Sequence, residues 1–118
     1  MSDPLELALG SKILRLDGTV IEVLNRDRID APMRLHVNHA AARIEHARDG
    51  SLKVSFGWPR SWVYGMPGGP GADLIDNDVD ADGRGTLKLA PELEPTIRAF
   101  LAECAARRTR PLPGAELP

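Results

Sequence analysis

Three groups of residues in this 118-residue chain carry types and spacings suited to chemistry. The sharpest is Asp78-Val79-Asp80-Ala81-Asp82-Gly83. Carboxylates at positions 1, 3 and 5 with glycine at 6 reproduce the first half of an EF-hand calcium loop, where hard oxygen ligands wrap one cation and the glycine permits the sharp turn. Position 12, which should supply a bidentate glutamate, is Leu89, and the preceding Pro67-Gly-Gly-Pro-Gly71 breaks any helix. A complete EF-hand is therefore not expected. Two readings stay open: a looser Ca²⁺ site on Asp78, Asp80 and Asp82, or a solvated acidic turn before the strand Thr86–Leu89. Asp73 and Asp76 crowd more negative charge into the same stretch, and like charges repel unless water or a cation separates them.

The second group is Trp58, Trp62, Tyr64 and Met66, which gathers both tryptophans and the single tyrosine into the glycine- and proline-rich stretch 57–72. Aromatics presented from a loop make good contact surfaces for a partner chain or ligand. The alternative is a loop folded back to cap a small sheet, its indoles supplying core. The third group is His36, His39 and His46. Their spacing fits no known zinc pattern, and in a strand His36 and His39 would face opposite sides. Half-exposed histidines of a sheet are the expectation. No nucleophile stands beside a base: Cys104 falls on the apolar stripe of a helix, where a thiol is buried and inert, and no serine sits in a nucleophile-elbow pattern. The chain reads as non-enzymatic.

These residues must be positioned by strands in the front half and a helix in the back. Ile13–Leu16 and Val20–Leu24 flank Asp17-Gly18, a favoured hairpin pair. Met33, Leu35 and Val37 alternate with Arg34 and His36, the period of a half-buried strand. Arg43–Arg48, Asp49-Gly50 and Ser51–Phe56 form the clearest hairpin, with Leu52, Val54 and Phe56 on one side. Residues 38–47, with three consecutive alanines, read as a strand first, with a helix capped by Asn38 and ended before Gly50 as the alternative. Leu93, Ile97, Phe100, Leu101 and Cys104 draw one apolar stripe on a helix that admits Pro95 only in its first turn. Glu92 and Glu94 at its start and Arg107 and Arg108 at its end suit the helix dipole.

Composition sets the outer bounds. With 42% hydrophobic and 27% charged residues the chain is globular rather than disordered, and its length suits one domain. A formal charge of −2 argues against nucleic acid as the partner. One cysteine excludes an internal disulfide. No segment has the length of a membrane span or the basic start of a signal peptide, so a cytoplasmic location is expected. The stretch 26–60 is rich in basic residues and 73–94 in acidic ones. That asymmetry suits the charged outer faces of a sheet better than a membrane surface met by Arg26, Arg28 and Arg34. The organisation expected is an N-terminal arm (1–10), one domain (11–108) and a disordered proline-rich tail (109–118).

Hairpin-rich Ile13–Phe56, with Arg28-Ile-Asp-Ala-Pro-Met-Arg34 leading into a strand, followed by the helix beginning Leu93-Glu-Pro-Thr-Ile-Arg-Ala-Phe-Leu101, resembles the bacterial pleckstrin-homology-like (PH-like) domains. The resemblance implies an α+β, mainly β fold: an antiparallel bent barrel or sandwich of about six to seven strands closed by one C-terminal amphipathic helix. It carries no catalytic or ligand motif onto this chain. The functional expectation is a non-catalytic module for protein–protein contact through loop 57–72. The alternatives are a calcium-responsive domain and, third, a binder of anionic lipid or a small ligand. No other cofactor is expected, and an exposed sheet edge would permit a homodimer.

Overall fold

A computed structural model describes residues 5–25, 33–59, 74–75, 79–80 and 85–108. Two antiparallel sheets follow one another along the chain, and a helix closes it. The first sheet is a meander of β1 (Leu5–Leu9), β2 (Lys12–Asp17), β3 (Val20–Asn25) and β4 (Met33–His36), in that order across the sheet. The second is built around β6 (Leu52–Pro59). One edge of β6 pairs with β5 (Ala41–His46); the other pairs with β8 (Thr86–Leu89) over Leu52–Ser55 and with the two-residue β7 (Val79–Asp80) over Trp58–Pro59. After one 3-10 turn, Pro91–Leu93, the helix α1 runs from Glu94 to Ala106.

Alternation builds the first sheet. Leu14, Leu16, Ile21 and Val23 are wholly buried, while the opposite face carries a charge row across all four strands: Glu6 opposite Arg15, Arg15 opposite Glu22, Glu22 opposite Arg34. The signs alternate, and the Glu22 carboxylate forms ion pairs with both arginines, 3.2 Å from Nε of Arg34 and 3.7 Å from Nε of Arg15. Arg34 is thus balanced within the sheet. Arg26 and Arg28 lie outside the described residues.

The turns follow glycine. Asp17 stays in β2, opposite Val20, so the two turn residues are Gly18 and Thr19, with positive φ (62°) at the glycine alone. Gly10-Ser11 repeats this arrangement between β1 and β2. Glycine at the first turn position is the type II′ solution, whose twist matches that of the strands. The β5–β6 turn differs. Gly50 N–H donates to the Ala47 carbonyl and Ala47 N–H to the Ser51 carbonyl, while the Asp49 carboxylate accepts from both the N–H and the hydroxyl of Ser51. Those two bonds hold the Asp49 carboxyl far below the usual carboxylate range.

Residues 41–46 form a strand, which settles the open choice in favour of β. Ala40, Ala41 and Ala42 are all buried, because the start of β5 is covered on both sides and small side chains let β6 and the segment Leu74–Ile75 approach, while Glu45 and His46 at its end are exposed. Ala42 N–H donates to the Leu74 carbonyl at 2.9 Å, beside a parallel bridge from Ala42 to Ile75. The helix carries the expected stripe: Ile97, Phe100, Leu101 and Cys104 are buried and join residues of both sheets in one core.

Two expectations change. The bent barrel or sandwich is realised as two separate four-stranded sheets, with no ladder joining them among the described residues, so the barrel is not closed. The stretch 1–10, expected as an arm, contributes β1 to the first sheet. The tail 109–118 lies outside the described residues. No helix among those described is long and apolar enough to cross a membrane.

Candidate functional site

The crossover from the first sheet to the second, Val37-Asn38-His39-Ala40, is where candidate residues converge. Val37 and Ala40 are buried and anchor it. Val37 N–H donates to the Thr19 carbonyl at 2.8 Å, and Asn38 N–H donates to Nδ1 of His36 at 3.0 Å. The tightest clamp comes from the far end of the helix. Arg108 is buried (6% exposed) and donates from Nε to the Val37 carbonyl at 3.1 Å and from Nη2 to the Ala40 carbonyl at 2.7 Å. Arg107 reaches the neighbouring turn, donating to the Gly18 carbonyl at 2.8 Å. The dipole argument anticipated positive charge there, but not this bridging of carbonyls distant in sequence.

So fixed, the crossover presents His39. Its ring stacks on Trp58, with centroids 5.1 Å apart and planes 12° apart, and the His36 ring lies 5.7 Å from it on a tilt. His39 lies beyond the end of β4, so the expectation of His36 and His39 on opposite faces fails: the turn brings their rings together. Burial, with the nearby His36 charge, lowers the His39 imidazole below its ordinary 6.5. Trp58 is 50% exposed and adds nothing to the core that Phe56 and Phe100 fill. Trp62, Tyr64 and Met66 lie outside the described residues.

The acidic candidate approaches the same place through the backbone. Asp80 in β7 is the cross-strand partner of Trp58, so the strand that ends the aromatic arm is in register with the acidic segment. Asp78, Asp82, Asp73 and Asp76 lie outside the described residues, as does Pro67–Gly71.

His46 is occupied elsewhere. Its Nε2 lies 2.8 Å from Oε1 of Glu94, whose other oxygen accepts from Arg98 at 2.9 Å. These two bonds, the histidine's first, lower the Glu94 carboxyl and tie the start of α1 to the end of β5. Among the described residues no three His, Cys, Asp or Glu side chains gather to hold a metal. Cys104 is buried as expected, and burial pushes its thiol up to about 12. Neither the crossover clamp nor the His39–Trp58 stack could be found from spacing, since both join positions far apart in sequence. Comparison with family models, with curated proteins and with solved structures finds no match for this chain.

Proposed function

We propose that this chain is a non-catalytic interaction module of the PH-like type, whose contact surface is centred on the His39–Trp58 stack, Trp58 lying at the end of strand β6 rather than in a loop, and on the stretch 60–72 that follows. One observation carries the reading: a half-exposed tryptophan held rigid by a stacked histidine on a crossover fixed by a buried arginine. A large aromatic surface left in water costs stability unless something covers it, and preorganised aromatics are the usual anchors of protein contacts. The order of elements, antiparallel strands and then a closing helix, supports the PH-like reading.

The test is affinity capture with the wild-type chain and with Trp58→Ala, His39→Ala and the pair Trp62→Ala/Tyr64→Ala, each checked for an unchanged melt. Partners lost together in the Trp58 and His39 variants support this surface. An unchanged set of partners in all of them removes it.

The calcium reading has one support, the register of Asp80 with Trp58, which would couple cation binding to tryptophan emission. Melts in EDTA, CaCl2 and MgCl2 test it. A rise in Tm with calcium alone, abolished by Asp80→Ala, favours it, and equal melts dismiss it. A ligand at a hundredfold excess over its Kd stabilises by about 2.7 kcal/mol, which such melts resolve.

A further inference from the structure

The edge strand β1 has the pattern Leu5-Glu6-Leu7-Ala8-Leu9, and among the described residues it is paired on one side only, with β2. Natural sheets protect such edges with short strands, charges, proline or a bulge; this one, five residues long, carries a single charge, Glu6, and no lysine or proline. The apolar side of β1 is also incompletely covered. Leu9 is buried at 7%, Leu7 is partly buried and Leu5 is 36% exposed. Beside them runs an open groove of about 720 Å³ lined by Leu5, Leu7, Pro95, Ala99, Phe100 and Arg107.

The hairpin register determines which backbone groups point outward. Leu9 and Lys12 close a two-residue turn, so they form a hydrogen-bonded pair. By alternation Leu7 and Leu5 also bond inward to β2. The groups of Glu6 and Ala8 therefore face the open edge. An antiparallel copy of β1 centred on Leu7 meets that edge in register. Glu6 would exchange hydrogen bonds with Ala8 of the second copy, and Ala8 with its Glu6. Leu7 would face its own counterpart in the close non-bonded pairing, and Leu5 would oppose Leu9. No like charges are opposed, and the leucines all fall on the groove side.

We infer that β1 is the seam of a symmetric homodimer in which two copies of this chain join their first sheets edge to edge and each copy's β1 leucines cover the other's groove. This is an isologous contact, closed by one twofold axis. With one five-residue strand at its centre, it is smaller than a standard interface of roughly 1,600 Å², so the dimer is a concentration-dependent one. The inference is independent of the proposed contact surface at Trp58.

Sedimentation of the purified chain from micromolar to near-millimolar concentration tests it. The expected result is a monomer–dimer equilibrium. Ala8→Pro removes an outward N–H, which an edge strand tolerates, and should leave a monomer at every concentration with an unchanged melt in dilute solution. Should the proline disturb folding, charge decides. Ala8→Glu sets like charges opposite Glu6 of the other copy and weakens the dimer several-fold; Ala8→Lys extends the alternating charge row and tightens it by a similar factor. A wild-type chain that stays monomeric throughout overturns the inference. So does a dimer that persists in a folded Ala8→Pro variant, or one that shifts the same way in Ala8→Glu and Ala8→Lys.

Discussion

Two adjacent arginines at the end of α1 make unequal contacts, and replacing each by alanine should show it. Arg108 is 6% exposed, and its guanidinium donates to the carbonyls of Val37 and Ala40 at 3.1 and 2.7 Å. Hydrogen bonds from a charged donor contribute about 1.5–3 kcal/mol each. Arg108→Ala loses two of them and leaves two acceptors in a buried crossover, offset by the hydration that the guanidinium no longer forfeits. The net loss expected is about 2–4 kcal/mol. At roughly 4–8 °C per kcal/mol for a domain near this size, Tm should fall by roughly 8–32 °C. Arg107 lies nearer solvent, with its side chain 22% exposed, and holds Glu103 and the Gly18 carbonyl; Arg107→Ala should cost about 1 kcal/mol or less. Arg108→Lys should fall between, since one ammonium cannot span both carbonyls as a fork does. Urea unfolding with a shared m-value measures all three. The reasoning is refuted if Arg108→Ala and Arg107→Ala are equally stable within about 0.5 kcal/mol.

Other consequences can be checked as directly. A methyl group on Gly85 would lie 2.6 Å from Sδ of Met33 and 2.7 Å from the Phe56 carbonyl oxygen; the methionine can turn aside but the backbone cannot, so Gly85→Ala should cost about 1–3 kcal/mol in the same assay. The fold favours neutral His39 while the unfolded chain takes up its proton near pH 6.5, so the His39 contribution is intact above that pH and declines as pH falls below it. His39→Gln should flatten this part of the Tm–pH profile, and a His39 pKa at or above 6.5 by NMR titration would contradict the cause given. The Cys104 thiol, buried and raised to about 12, should resist a thiol reagent at mildly alkaline pH in the native protein and react once it is unfolded; rapid native labelling would show the helix stripe to be open.

Elements made by local patterns were legible in the sequence. Leucine and valine alternation located β2, β3 and β6, and the stripe Ile97–Cys104 located α1. What escaped were features decided by distant partners. The run Ala40–Ala42 has neither a two-residue nor a helical period because the chain is covered on both sides there, so its identity rested on Phe56, Gly57 and Leu74, remote in sequence. β1 escaped because five residues beginning with an exposed leucine carry little signal before their pairing with β2 is known. Of the candidate site, Trp58 was legible by type. In the sequence its stacking partner His39 is only one of three histidines without a metal-ligand spacing, and the arginine that fixes the crossover only a charge at a helix end.

The clamp by Arg108 also bears on the order in which the molecule can be made. The first sheet is a meander, so each of its strands pairs with the one synthesised just before it. The second cannot finish that way: β6 waits for β8 across some thirty positions, and the crossover between the sheets is secured by a side chain that follows every strand. A growing chain can therefore pair the strands of its first sheet, whose buried face still waits for the rest of the core, while the His39–Trp58 stack is unsecured. The crossover that carries His39 is clamped only when α1 docks, so if the proposed contact surface is used, a partner that needs it preformed meets a competent protein only after the helix is in place.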